Sequence, residues 1–161
     1  MLKTCALLAG LLLRQGWFLT TAESCTGGLI AANCTDLAGS SNWFERGFVT
    51  YSNAAKCELL GIEAALIDRH GAVSDVVVRA MVCGALAHSH AQVAIAVTGV
   101  AGPGGGSTEK PVGTVWLAWE TPTGVISEEK HFDGDRAAVR QATVQHALTR
   151  LTELLQTENP S

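Results

Sequence analysis

A carboxylate, a serine and a cysteine stand side by side in TAESCTGG, Thr21 to Gly28, with two glycines closing the stretch. The stretch follows Trp17, Phe18 and Leu19, so it lies where an apolar strand gives way to a helix. Backbone N–H groups at such a junction favour negative charge. Ser24 placed there could attack a carbonyl carbon. Amides near Thr26, Gly27 or Gly28 could receive the oxyanion, because a backbone without Cβ lets substrate come close. The same Ser24 would serve as an N-cap, its hydroxyl accepting one helix amide.

A serine nucleophile needs a base. His70, His88, His90, His131 and His146 stand in no triad motif such as G-x-S-x-G and read as surface or satisfied residues. Cys25 could replace Ser24 as nucleophile, although a small buried cysteine is the commoner use. The segment TYSNAAK puts Tyr51 and Lys56 around a strand end and a helix start, with Ser52 or Asn53 as the cap. A lysine desolvated there, or held beside a phenol, has a lowered pKa and could act as base. Taken alone, the pair reads as a surface lysine beside a half-buried tyrosine.

The run TGVAGPGGGSTEKPVG, Thr98 to Gly113, follows the apolar residues VAIAV. In layered α/β domains ligands gather beyond the carboxyl ends of strands. Thr98, Gly99, Gly102, Gly104 and Thr108 are therefore candidate contacts for an anion or nucleotide. The run is neither a Walker loop nor the dinucleotide fingerprint, since the glycine spacing differs and a strand follows it. Arg136, in GDR at the start of the last helix, could clamp a phosphate or carboxylate. It reads equally as an exposed first-turn arginine. Glu23 and Glu45 could orient a cation or could be surface charges.

These residues need elements to hold them. The pattern predicts helices over 2–15, 25–37, 53–60, from Asp75 to about His90, and over 135–156, with Ser74 as an N-cap. It predicts strands over 17–22, 44–51, 93–97, 113–119 and 125–131. The last two are joined by the turn Thr121–Gly124. The alternation implies an α/β domain of α/β/α layers, with a mixed, mostly parallel sheet. No linker divides the 161 residues, which read as one domain, 1–161.

With 47% hydrophobic and 16% charged residues, a chain of this length can bury roughly 70% of its unfolded surface and needs no staple. The net charge of -4, without a basic cluster, disfavours nucleic acid as a partner. The first apolar run, Cys5 to Leu13, is too short to cross a membrane, and an amphipathic first helix is expected. Five cysteines without a C-x-x-C pair point to a reduced, cytoplasmic compartment and away from zinc. An apolar, glycine-rich α/β domain of this size is expected to form a homodimer or a higher homo-oligomer.

AESCTGGLIA, GSSNWFERGFVTYSNAAKCELLGI, GAVS, AVTGVAGPGGGSTEKPVGTV and FDGDRAAVR, in that order, resemble the C-terminal domain of the competence/damage-inducible CinA family. The resemblance runs from about residue 3 to 157. It implies an α/β/α domain and hydrolysis of the carboxamide of nicotinamide mononucleotide to nicotinic acid mononucleotide and ammonia, a step of pyridine nucleotide salvage. It implies a Ser–Lys site with a tyrosine, which map onto Ser24, Lys56 and Tyr51, and neither a metal nor another cofactor. The loop 99–108 and Arg136 are then expected to hold the ribose phosphate. Members often read GGVVTYSN where this chain reads RGFVTYSN; Arg46 and Phe48 are expected to flank the pocket side of that strand. A nucleotide-binding, regulatory module without turnover is the alternative.

Overall fold

The computed structural model describes residues 1–158. The chain order is α1 (Leu2–Gln15), β1 (Leu19–Glu23), α2 (Leu29–Thr35), a 3-10 turn at Ser40–Asn42, β2 (Phe44–Val49), α3 (Asn53–Leu60), α4 (Ala64–His70), α5 (Asp75–Ala87), β3 (Val93–Gly99), β4 (Thr114–Thr121), β5 (Gly124–His131) and α6 (Arg136–Glu158). The strands form one sheet in the order β2-β1-β3-β4-β5. β1 runs parallel to β2 and to β3, while β4 is antiparallel to both β3 and β5. Four strands thus share one direction and β4 alone is reversed, which makes the sheet mixed as expected.

Strand alternation divides the interior in two. Leu19, Val93, Ile95, Val97, Val115, Leu117 and Trp119 pack against α1, α2 and α6. Ala22, Ala94, Ala96 and Ala118 turn to the other face, against α3, α4 and α5. The two faces differ in side-chain size. Ala22 sits beside Ala96, and Ala96 beside Ala118, across three neighbouring strands. This low alanine floor lets α5 lie close to the sheet. The opposite face carries the bulk, including the fully buried Trp119, whose indole N–H donates to the Ala147 carbonyl at 2.9 Å.

The helix ends obey local chemistry. Gly16 closes α1 in the left-handed conformation, φ 66°. Ser74 caps α5 by accepting the Val77 amide, as its sequence predicts. Two elements differ from expectation. α4 was not predicted: its seven residues between Gly61 and Gly71 bury only Ile67, too little to show a helical period. α2 begins at Leu29 rather than at residue 25, because Gly27 and Gly28 adopt φ of 59° and 102°, outside the helical region.

α5 also lies close against the end of α3, and Gly84 makes room for that contact. A Cβ there would collide with the Leu60 carbonyl oxygen and stand 2.9 Å from Leu60 Cβ. Gly84→Ala is expected to destabilise the fold by about 1–3 kcal/mol despite alanine's better helix propensity. An unchanged or raised Tm in calorimetry would show that α5 is free to move outward.

Candidate active site

Three parallel strands end together. β1 stops at Glu23, β2 at Val49 and β3 at Gly99, and β1 lies between the other two. The chain leaves β1 and β2 towards opposite faces of the sheet, through α2 and through α3–α5 respectively. Such a reversal of strand order opens a crevice at the carboxyl ends. Here it holds a cavity of about 250 Å³ whose wall includes Ser24, Tyr51, Lys56, Thr98, Gly99 and Arg136.

Ser24 stands one residue past β1, its amide still donating to Val97 O of β3 at 3.1 Å. The chain then makes a tight elbow, with the Gly27 amide donating back to Ser24 O at 3.0 Å. Glu23 shapes this elbow. It is only 1% exposed, and its carboxylate accepts from Thr26 Oγ1 (2.6 Å), Ile30 N (2.8 Å) and Ala31 N (3.1 Å). The carboxylate therefore caps α2 in place of Ser24, which leaves the serine hydroxyl for other work. Of the amides expected to receive an oxyanion, that of Gly27 is taken, and those of Thr26 and Gly28 donate to no group among the described residues. The first α2 amides are already bonded. The N–H groups of Cys25 and Thr26 donate to no other group among the described residues.

Lys56 reaches the same point from the other side. Ser52 caps α3 by accepting the Ala55 amide at 3.0 Å, which turns Lys56 inward in the first turn. Lys56 is 1% exposed; its Nζ lies 3.1 Å from Ser24 Oγ, donates to Thr50 O at 3.0 Å and approaches Tyr51 O at 3.5 Å. It forms no ion pair among the described residues. Burial holds its pKa below the ordinary lysine value, more strongly than the neighbouring Cys25 and Cys57 thiols raise it. The three neighbours are acceptors for the three N–H groups of an ammonium; once deprotonated, the amine keeps two N–H groups for the carbonyls and turns a lone pair to the serine proton. Cys25 also lines the cavity, but burial pushes its thiol up to about 11, so it stays protonated at neutral pH.

The remaining expected residues separate into wall, frame and exterior. Tyr51 is 60% exposed, and its hydroxyl accepts from Arg136 Nη2 at 2.9 Å; only its backbone carbonyl approaches Lys56. The phenol expected beside the lysine thus makes no hydrogen bond to Lys56 or Ser24 among the described residues. Arg136 also donates to Gly102 O at 2.9 Å, so it latches the loop over the cavity mouth. Thr98 is on the wall and donates to Ala72 O at 3.0 Å, while Gly99 admits the close approach of Val115. Thr26, Gly27, Gly28, Gly104 and Thr108 are not on the wall: the Thr26 hydroxyl is turned to Glu23, and Gly104 and Thr108 are exposed. Arg46 and Phe48 miss it as well, Arg46 being paired with Glu45 and Phe48 packed on the α5 side of the core. No histidine lines the cavity. Asn53, Ala72 and Val73 do; Ala72 and Val73 lie in the GAVS stretch that carries the resemblance, but no site role was expected of them.

The arrangement resembles no isolated motif but does match known proteins along its length. The CinA C-terminal domain profile matches residues 2–155. A Pseudomonas putida protein named nicotinamide-nucleotide amidohydrolase PncC is 60% identical over 136 residues, covering 84% of this chain and 85% of its own. Its namesake in Escherichia coli (strain K12) is 53% identical over 138 residues, covering 85% and 84%. The crystal structure of the competence/damage inducible protein CihA from Agrobacterium tumefaciens is similar with a TM-score of 0.92 and 46% identity, covering 95% of this chain and 94% of that one. With the family profile spanning α1 to α6, the chain belongs to the CinA C-terminal domain family.

Proposed function

We propose that this protein is a nicotinamide-nucleotide amidohydrolase, which hydrolyses the carboxamide of nicotinamide mononucleotide to nicotinic acid mononucleotide and ammonia. The observation that carries this reading is the buried Lys56 amine 3.1 Å from Ser24 Oγ, in a cavity at three strand ends. The names of the similar proteins support the substrate.

Neutral Lys56 takes the Ser24 proton while Oγ attacks the amide carbon. The carbonyl oxygen gains the negative charge and takes the free N–H of Cys25, the elbow residue that lines the cavity. Lys56, now an ammonium, returns the proton to the amide nitrogen; the C–N bond breaks and ammonia leaves an acyl-serine. Water then attacks the ester carbon, giving a proton to Lys56; Lys56 returns that proton to Oγ as the C–Oγ bond breaks, and the acid product loses its remaining proton to solvent as the carboxylate. Thr50 O keeps Lys56 pointed at the serine in both halves. Arg136 at the mouth is the cation for the ribose phosphate, with Thr98 and Gly99 along the wall.

Exposed leucines on α1, at positions 2, 7 and 13, support self-association. Five free cysteines, Cys83 exposed among them, fit a reducing cytoplasm. No helix among the described residues is long and apolar enough to cross a membrane.

Ammonia release from nicotinamide mononucleotide tests the assignment. Wild type is expected to turn over, and folded Ser24→Ala to lose at least about 10³-fold in kcat. A folded wild type that binds the nucleotide without releasing ammonia would favour the regulatory module instead.

The pH dependence follows from Lys56. Its protonated form cannot accept the serine proton, so kcat/KM should fall as pH drops through a limb centred below 10.5, the ordinary lysine value. A lysine pKa depressed by folding means that the unfolded chain binds the proton more tightly. The residue thus costs stability below its unfolded pKa, and that cost vanishes as pH rises past it. Lys56→Met should abolish turnover yet leave Tm at pH 7 equal or higher. A Tm several degrees lower would mean that the amine is charged and paired in the fold.

A further inference from the structure

Arg140 stands one turn beyond Arg136 on α6 and is half-buried. Its guanidinium makes no ion pair among the described residues. It donates instead to two backbone carbonyls of the elbow, from Nε to Cys25 O and from Nη2 to Thr26 O, both at 3.1 Å. Gly27 makes the turn that presents these carbonyls, with a φ of 59° that favours glycine, and a Cβ there would merely touch Arg140 Nη2 at 3.4 Å. A cation with no counter-charge other than two carbonyl dipoles fixes those dipoles firmly.

The consequence follows from peptide planarity. In a trans peptide the C=O and N–H groups point in opposite directions. The unit joining Ser24 to Cys25 has its oxygen held by the Gly27 amide, and the next unit has its oxygen held by Arg140. The N–H ends of these two units belong to Cys25 and Thr26, neither of which finds an acceptor among the described residues. Two consecutive peptides after the serine are thus gripped at their oxygens and free at their nitrogens. Of Cys25 and Thr26, only Cys25 lines the cavity, and Arg140 reaches its amide through a chain: Nη2 holds the oxygen of the Thr26–Gly27 unit, the N–H of that unit holds Ser24 O, and the polarised Ser24–Cys25 unit presents the stronger Cys25 N–H.

We propose that Arg140 is a positioning residue for the amide hydrolysis: from outside the cavity it fixes the elbow and, through Thr26 O and the Gly27 amide, orients and polarises the Cys25 N–H that receives the oxyanion. It touches backbone and not substrate, and it does not line the cavity. The inference rests on Ser24 being the nucleophile.

Two measurements on Arg140→Met and Arg140→Lys test it. One is steady-state ammonia release from nicotinamide mononucleotide. The other is the rate at which a fluorophosphonate probe loads Ser24, read by intact mass. In that reaction the Oγ–P bond forms, the P–F bond breaks, fluoride leaves and the serine proton goes to Lys56. Since losing an oxyanion donor outright costs about 10²–10³ in kcat, Arg140→Met should lose about 10–100-fold, with KM changed less than about threefold. The pH limb should keep its midpoint, because Lys56 is untouched. Loading of Ser24 should slow in parallel, and Arg140→Lys, keeping one donor, should fall between. If the methionine variant fails to fold, the lysine variant and Arg140→Gln carry the comparison. A raised KM at wild-type kcat would overturn the proposal in favour of direct substrate contact. Wild-type kcat and loading rate in the variants would overturn it outright. A wild type that loads at Ser24 but releases no ammonia defeats the choice of substrate alone, and loading rates then decide the role of Arg140. A wild type that neither turns over nor loads defeats Ser24 and, with it, Arg140.

Discussion

An amine shut away from water without a carboxylate is expensive to charge, and the site depends on that constraint at Lys56. Were an acid placed beside it, the lysine would hold its proton and Ser24 would face a cation with no lone pair to offer. The protein instead surrounds the amine with the carbonyls of Thr50 and Tyr51, which accept hydrogen bonds but carry no full charge. The nearest acid in sequence to the serine, Glu23, is drawn off to the start of α2. A negative charge needed to build the elbow is thereby kept from setting the charge of the base.

The architecture serves that separation. The parallel strands β1, β2 and β3 bring Ser24, Thr50 and Thr98 to one edge of the sheet from distant parts of the chain. The alanine floor beneath α5 brings that layer close, and α3, which carries Lys56, packs in the same layer. Bulky residues on the opposite face seat α6, from which Arg136 and Arg140 project towards the mouth and the elbow.

Much of this was legible in the sequence, for reasons that differ residue by residue. The strands and longer helices follow from period and caps, as at Ser74 and Gly16. Ser24 and Lys56 could be paired because each falls at the junction of a strand and a helix, and such junctions converge in a layered domain. Glu23 was left open because a lone acid reads as surface, carboxylates being seldom buried. Only the path of the chain, doubling back through Gly27 and Gly28, shows the amides that hold it. Tyr51 was read for its phenol, whereas its backbone carbonyl is the part near the base. Arg140 lies 115 residues from its partner Cys25, and its hydrogen bonds go to main-chain atoms, which carry no residue-type signature.

α6 runs for 23 residues, about 35 Å, and buries side chains from Val139 to Leu155 along its length. Arg136 and Arg140 therefore borrow their rigidity from that buried face, and the elbow is stiff although it is a loop rich in glycine. Local melting of the site without melting of the core is closed to such a design. Heat or denaturant should take the cavity and the hydrophobic interior in a single cooperative step.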